Sequence, residues 1–252
     1  IVAPSWVGDM VMAQALLRLL HQQGHTIDVL ASEWNFDILR CMKEINKNIP
    51  MPVGHGELKL KERYRLGQSL RKEGYDQAIV LPGSFKSALI PYFARIPIRT
   101  GWLGEHRYVL LNDWRKLRID EYPWMVERYV ALGYPKGHQF DRKKMLFPKL
   151  EVTVDQVSKN MGHFNLSKTS GQKILALCPG AAFGKTKQWP IEYHVQVAKQ
   201  KLSEGWQVWL FGSPDDKISA CDPINEACDM KCTNLSGQLK LFQTVDLLSQ
   251  VD

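Results

Sequence analysis

Apolar positions along the chain follow two alternating periods. Residues 1–3 form an apolar stub that runs straight into Pro4 and a glycine-containing loop, which reads as the tail of a strand whose beginning is absent. Residues 10–21 carry helical spacing and close at Gly24. A strand over 26–31 follows, built on Ile27, Val29 and Leu30, then a helix over 34–42 and a polar helix over 58–72. The run Ala78-Ile79-Val80-Leu81 makes 76–82 a buried strand; 85–94 is a short helix, 97–102 a short strand, and 123–132 a helix ending at Gly133. Strands alternating with helices predict a parallel sheet covered on both faces.

Between 135 and 150 the pattern dissolves into Lys, Arg, Gly, His and Pro, as expected of a connector, so domains are drawn at 1–150 and 151–252. A second α/β pattern then begins. It has a buried strand over 173–178, a helix over 191–202 closed by Gly205, a strand over 207–211, a helix over 215–228, and an apolar-periodic stretch over 241–251. This leaves about 90 residues after the connector, against the roughly 150 that a complete mononucleotide-binding half usually takes. The second domain therefore reads as incomplete.

Composition narrows the class. The chain has 252 residues, enough for two α/β domains, with 44% hydrophobic and 23% charged positions, an ordinary globular balance. The net charge of +7 is scattered among acidic residues, which suits a phosphate-bearing small ligand better than nucleic acid. The 5 cysteines include no Cys-x-x-Cys pair, which points to a reducing, cytoplasmic setting with neither a disulfide framework nor a zinc site. No apolar run approaches the roughly 20 residues of a membrane span, so the protein is read as soluble or peripheral.

Two loops sit where open parallel sheets place ligands. The first, Pro4-Ser5-Trp6-Val7-Gly8-Asp9, joins the opening strand to the first helix. Asp9 there is either an N-cap or a general base that takes the proton of an attacking hydroxyl. The Gly-x-Gly-x-x-Gly fingerprint is missing, which excludes the usual dinucleotide loop. The second loop, from Pro179 to Pro190, carries Gly180, Ala181, Lys185 and Lys187 ahead of a helix, and is either a diphosphate cradle or an ordinary surface loop with solvated lysines. Its spacing is one residue short of a Walker loop. Ser213 ends the next strand and either lies beside the same ligand or caps a turn. Asp215 and Asp216 are contiguous, so no Asp-x-Asp metal motif is present. In the first domain Lys86 is expected near the rim that holds Asp9, with Arg63, Arg65, Arg99, Arg107 and Arg128 on elements around it; each is either a solvated arginine or, as a set, suited to an acceptor bearing phosphates or carboxylates. Trp6 and Trp102 offer faces for sugar stacking or simple packing.

The first loop together with Leu81-Pro82-Gly83-Ser84-Phe85-Lys86-Ser87, Arg99-Thr100-Gly101-Trp102, Leu111-Asn112-Asp113 and Lys187-Gln188-Trp189-Pro190 strongly resembles glycosyltransferase family 9, in its heptosyltransferase branch. The likeness covers essentially the whole chain. It implies a GT-B enzyme of two Rossmann-like domains, the first binding the acceptor and the second the nucleotide sugar. The implied reaction is metal-independent, needs no cofactor and inverts the anomeric centre, moving L-glycero-D-manno-heptose from ADP-heptose to the first heptose of the lipopolysaccharide inner core on lipid A. Asp9 would be the base, Lys187 the cation on departing ADP with Gly180, Ala181 and Ser213 on the donor side, and Lys86, Arg63 and Arg107 the acceptor contacts. The enzyme would be cytoplasmic, with peripheral contact at the inner membrane, and the chain is read as truncated at both ends. A non-catalytic nucleotide-sugar-binding protein, or a transferase with another donor, is the alternative.

Overall fold

A computed structural model describes residues 1–54, 56–138, 141–181 and 185–252. They form two compact units, Ile1–Glu151 and Val152–Asp252.

In the first unit the strands are β1 (Ile27–Ala31), β2 (Ile45–Pro50), β3 (Gln77–Val80), β4 (Ile98–Trp102) and β5 (Asp113–Arg115). β1 pairs with β2, and β3 with β4 and β4 with β5, all parallel. The N-terminal stub joins the two groups: Val2 bridges in parallel to Leu30 on one side and to Val80 on the other. Its amide donates to the Ile79 carbonyl and its own carbonyl accepts from Leu81, while the Ala3 amide donates to Leu30. With the stub counted first, the order across the sheet is 3-2-1-4-5-6, the doubly wound order whose reversal lies between the stub and β3.

Burial follows the apolar pattern. Val2, Leu30, Val80 and Leu111 share one core cluster, and each such side chain removed from water contributes about 1.5–3 kcal/mol. The helix Val7–Gln22 turns Met10, Ala13, Leu16, Leu17 and Leu20 inward. It ends in a Schellman turn, where Gly24 takes φ +84° and the Gly24 and His25 amides reach the His21 and Leu20 carbonyls.

In the second unit β6 (Ile174–Leu177), β7 (Gln207–Leu210) and β8 (Thr233–Asn234) are parallel in that order. The Ile174 amide and carbonyl meet the Asp252 side chain and amide, so Asp252 lies along the edge of β6 away from β7. Core clusters pack both faces, one around Leu210 and Ile224, the other around Trp209 and Leu247. The two units are α/β folds with parallel sheets, as expected.

Several elements depart from the sequence reading. β2 has the polar sequence Ile45-Asn46-Lys47-Asn48-Ile49-Pro50, with little period to detect, and β5 is three residues long. The helix Val154–His163 was not expected; Thr153 caps it by accepting from the Gln156 amide at 3.3 Å. The helix expected over 215–228 divides into Pro214–Asp216, a π-type turn over Lys217–Cys221, and Asp222–Ala227. Pro223 has no N–H to give the preceding turn, and the wider ring absorbs the mismatch. The helix expected from Met10 begins at Val7.

Candidate active site

A cleft of about 660 Å³ opens at the C-terminal ends of the strands in the first unit. Its wall takes residues from the end of every strand: Pro4, Ser5 and Trp6 after the stub, Ala31 and Ser32 after β1, Met51 after β2, Leu81 to Ser84 after β3, Trp102 and Leu103 after β4, and Leu117 past β5. It spans the place where the strand order reverses, the usual ligand crevice of such sheets.

Asp9 stands on this wall. The helix starts one turn earlier than its sequence suggests because Trp6 is the N-cap, with extended backbone, and the Met10 amide already donates to the Trp6 carbonyl. The cap alternative for Asp9 is therefore corrected: it is the third helical residue, half-buried near the positive end of the helix, with its carboxylate free of capping duty. The Tyr129 hydroxyl donates to Asp9 Oδ1 at 3.4 Å.

The loop that leads into the Asp9 helix is held from behind. Asn35 Nδ2 donates to the Pro4 and Ser5 carbonyls, each at 3.2 Å, and Trp34 Nε1 donates to Ser5 at 3.0 Å. Asn35 is fully buried. Sequence reasoning missed these residues; a polar Asn just after an apolar strand was the available signal.

The three basic residues expected around the acceptor divide. Lys86 lines the cleft, half-buried, and makes no ion pair among the described residues. Arg63 reaches the wall, but its guanidinium is buried and donates to three carbonyls: Leu58 at 2.6 Å, Lys86 at 3.1 Å and Glu57 at 3.1 Å. Arg107 is fully buried and absent from the cleft lining. Its Nη1 donates to the carbonyls of Pro82 (2.7 Å) and Ser84 (3.0 Å) and to Ser87 Oγ (2.8 Å), while Nη2 donates to Trp102 (2.7 Å). Burial pulls the Arg107 pKa down to about 10 and lowers that of Arg63 from the ordinary arginine value. In this structure the two arginines act as internal ties: Arg107 binds the turn after β3 to the end of β4, and Arg63 binds residues 57–58 to the Lys86 backbone. Close approach of the same loops requires glycine, since a Cβ on Gly104 would fall 2.5 Å from the Gly83 carbonyl. Trp6 and Trp102 both line the cleft, and Trp102 Nε1 donates to the Arg128 carbonyl at 2.9 Å.

In the second unit the loop after β6 begins with exposed Cys178, buried Pro179 and half-buried Gly180 and Ala181. Residues 182–184 and the Lys185 side chain, which the sequence reading included in the anion cradle, lie outside the described residues. Lys187 is exposed at the end of the short turn Lys185–Lys187. Trp189 stacks on Tyr193 (5.5 Å, 23°) and meets His194 edge-on at 4.9 Å, ahead of and within the helix Ile191–Ser203. Burial lowers the His194 pKa. Ser213 caps the following helix: its Oγ accepts from the Asp216 amide at 3.2 Å, and its amide and hydroxyl both donate to Asp216 Oδ2. That carboxylate lies against Gly180, where a Cβ would sit 2.2 Å from Asp216 Cγ. The structure thus brings Gly180 and Ser213 together through Asp216.

Comparison with known proteins decides the family. A model of glycosyltransferase family 9 (heptosyltransferase) matches residues 63–252. The chain belongs to glycosyltransferase family 9. This family 9 chain is 47% identical to lipopolysaccharide heptosyltransferase 2 of Salmonella typhimurium over 99% of its own length and 74% of that relative. It is 44% identical to lipooligosaccharide heptosyltransferase 2 of Haemophilus ducreyi, again over 99% and 74%. The solved structure of Escherichia coli ADP-heptose lps heptosyltransferase II matches at a TM-score of 0.88 with 44% identity, covering 99% of this chain and 76% of that one. The resemblance read from the five motifs is confirmed, and with it the GT-B class and the assignment as a glycosyltransferase. Among the described residues, no helix of this family 9 transferase is long and apolar enough to cross a membrane.

Proposed function

We propose that this family 9 transferase moves L-glycero-D-manno-heptose from ADP-heptose to the first heptose of the lipopolysaccharide inner core, with inversion and without a metal ion. The observation that carries the reading is the place of Asp9, a carboxylate without a capping role on the wall of a cleft at the reversal of strand order. Such a group can take the proton of a sugar hydroxyl as its oxygen attacks the anomeric carbon. The new C–O bond forms on the face opposite the departing ADP, the bond to the diphosphate oxygen breaks, and the anomeric configuration inverts.

Charge developing on ADP needs fixed positive partners. Lys187 and the backbone amides at Gly180 and Ala181 supply them, and the Ser213–Asp216 turn braces that loop. On the acceptor side Lys86 meets an anionic group of the lipid A inner core, while Arg63 and Arg107 fix the loops around it. The acceptor is an amphiphile, so the enzyme works at the face of the inner membrane on the cytoplasmic side.

The reading is supported by the family and by relatives named for heptose transfer. Its test is incubation of donor and inner-core acceptor with the enzyme, followed by mass detection of one added heptose and NMR assignment of the new anomer. Transfer that persists in chelator and gives the inverted anomer supports the proposal. Better use of UDP-glucose than ADP-heptose, or tight donor binding with no transfer at all, overturns it.

A further inference from the structure

The cleft wall includes a phenol that the proposed chemistry does not yet use. Tyr129, in the helix Met125–Val130, is 6% exposed, and its hydroxyl reaches the cleft, where it donates to Asp9 Oδ1 at 3.4 Å. Asp9 is the phenol's hydrogen-bond partner among the described residues. The two residues come from separate elements, the first helix and one 120 positions on, and those helices pack directly against each other. A ring this buried has little freedom, so its hydroxyl marks a fixed point in the wall.

From this geometry we infer that Tyr129 is the positioning residue of the Asp9 carboxylate, holding Oδ1 so that Oδ2 faces the acceptor hydroxyl. The inference rests on the reading of Asp9 as the base. A carboxylate on a short side chain can rotate about its terminal torsion, and a single fixed donor on one oxygen selects one orientation. The donor must itself stay protonated. Burial, the Asp9 charge and the hydrogen bond to Asp9 all raise the Tyr129 pKa, with Arg128 opposing them, and the net result lies well above the ordinary tyrosine value. Tyr129 is therefore a neutral donor across the range in which a glycosyltransferase works, and it does not exchange protons with substrate.

The test is steady-state transfer kinetics on the full chain. In Tyr129→Phe, which keeps the ring and removes the donor, kcat is expected to fall about tenfold. KM for donor and acceptor should hold within about twofold, so that the loss falls on the chemical step and not on binding. In an Asp9→Asn background the same change should have no further effect. Replacing Tyr129 with 3-fluorotyrosine, a better donor of nearly the same shape, should hold kcat at or above the wild-type value with both KM values unchanged, and it keeps the question answerable if Tyr129→Phe unfolds. An unchanged kcat in Tyr129→Phe, a rise in acceptor KM alone, or a fall in kcat with 3-fluorotyrosine overturns the inference. Full transfer by Asp9→Asn sinks the base reading itself; a dead Asp9→Asn beside an unaffected Tyr129→Phe sinks only this proposal.

Discussion

The Asp216 carboxylate occupies the space that a side chain on Gly180 would need, with Cγ 2.2 Å from the position of the missing Cβ. The carboxylate cannot swing aside cheaply, because the Ser213 amide holds its Oδ2 at 2.9 Å and the Ser213 hydroxyl at 2.7 Å. Two strand-end loops are locked together at the head of the second unit.

Gly180→Ala is therefore expected to push the loops apart. Overpacking of this kind costs about 1–3 kcal/mol. Thermal melting should show a loss of several degrees, and isothermal titration should show weaker ADP binding. A variant with wild-type melting and wild-type affinity would mean that the contact has no bearing on the donor loop.

Arg107 gives a prediction that separates a tie from a ligand. Its guanidinium donates to three carbonyls and one hydroxyl from a fully buried position. Lysine is too short and too symmetric to reproduce that fork, and hydrogen bonds to a charged group contribute about 1.5–3 kcal/mol each. Urea unfolding of Arg107→Lys should show a loss of at least about 2 kcal/mol. An acceptor contact would instead leave stability intact and raise only the acceptor KM.

Lys86 is expected to behave in the opposite way. It faces the cleft without an ion pair among the described residues, so its removal leaves no buried charge unpaired. Lys86→Ala should raise the acceptor KM about tenfold with the donor KM and melting temperature unchanged, the loss of one charge-assisted contact. A change in donor KM alone would place Lys86 elsewhere in the reaction.

His194 supplies a pH signature. Burial lowers its pKa in the folded state below the ordinary 6.5, so the unfolded chain binds a proton more readily. Its contribution to stability is complete above pH 6.5 and is lost as pH falls through the depressed folded value. Melting curves between roughly pH 5 and 8 should show a smaller acid loss in His194→Leu than in wild type. An identical pH dependence in the two proteins would contradict this.

These predictions draw on different layers of legibility. Short apolar runs at Val29-Leu30, Ala78 to Leu81 and Leu175 to Leu177, alternating with stretches of helical period, made the parallel α/β plan readable, because buried strands leave continuous apolar runs and amphipathic helices a periodic trace. β2 was not readable: Asn46, Lys47 and Asn48 lie on a half-exposed strand with no apolar alternation. The position of Asp9 just past the first strand could be read, but its rank within the helix could not, since Trp6 is an unusual cap. Arg63 and Arg107 were expected as ligands because a sequence gives charge without burial; the structure turns both toward backbone carbonyls. Tyr129 left no trace at all, being one more apolar-face residue of a predicted helix until the fold set its hydroxyl beside a residue 120 positions away.

The central claim is that the Asp9 carboxylate removes the acceptor proton. The direct measurement is single-turnover heptose transfer by wild type and by Asp9→Asn, with donor and acceptor binding measured separately on both. The account predicts binding within about threefold of wild type and a transfer rate reduced roughly 10²–10⁴-fold, the usual contribution of a general base. Transfer at the wild-type rate by Asp9→Asn would contradict it.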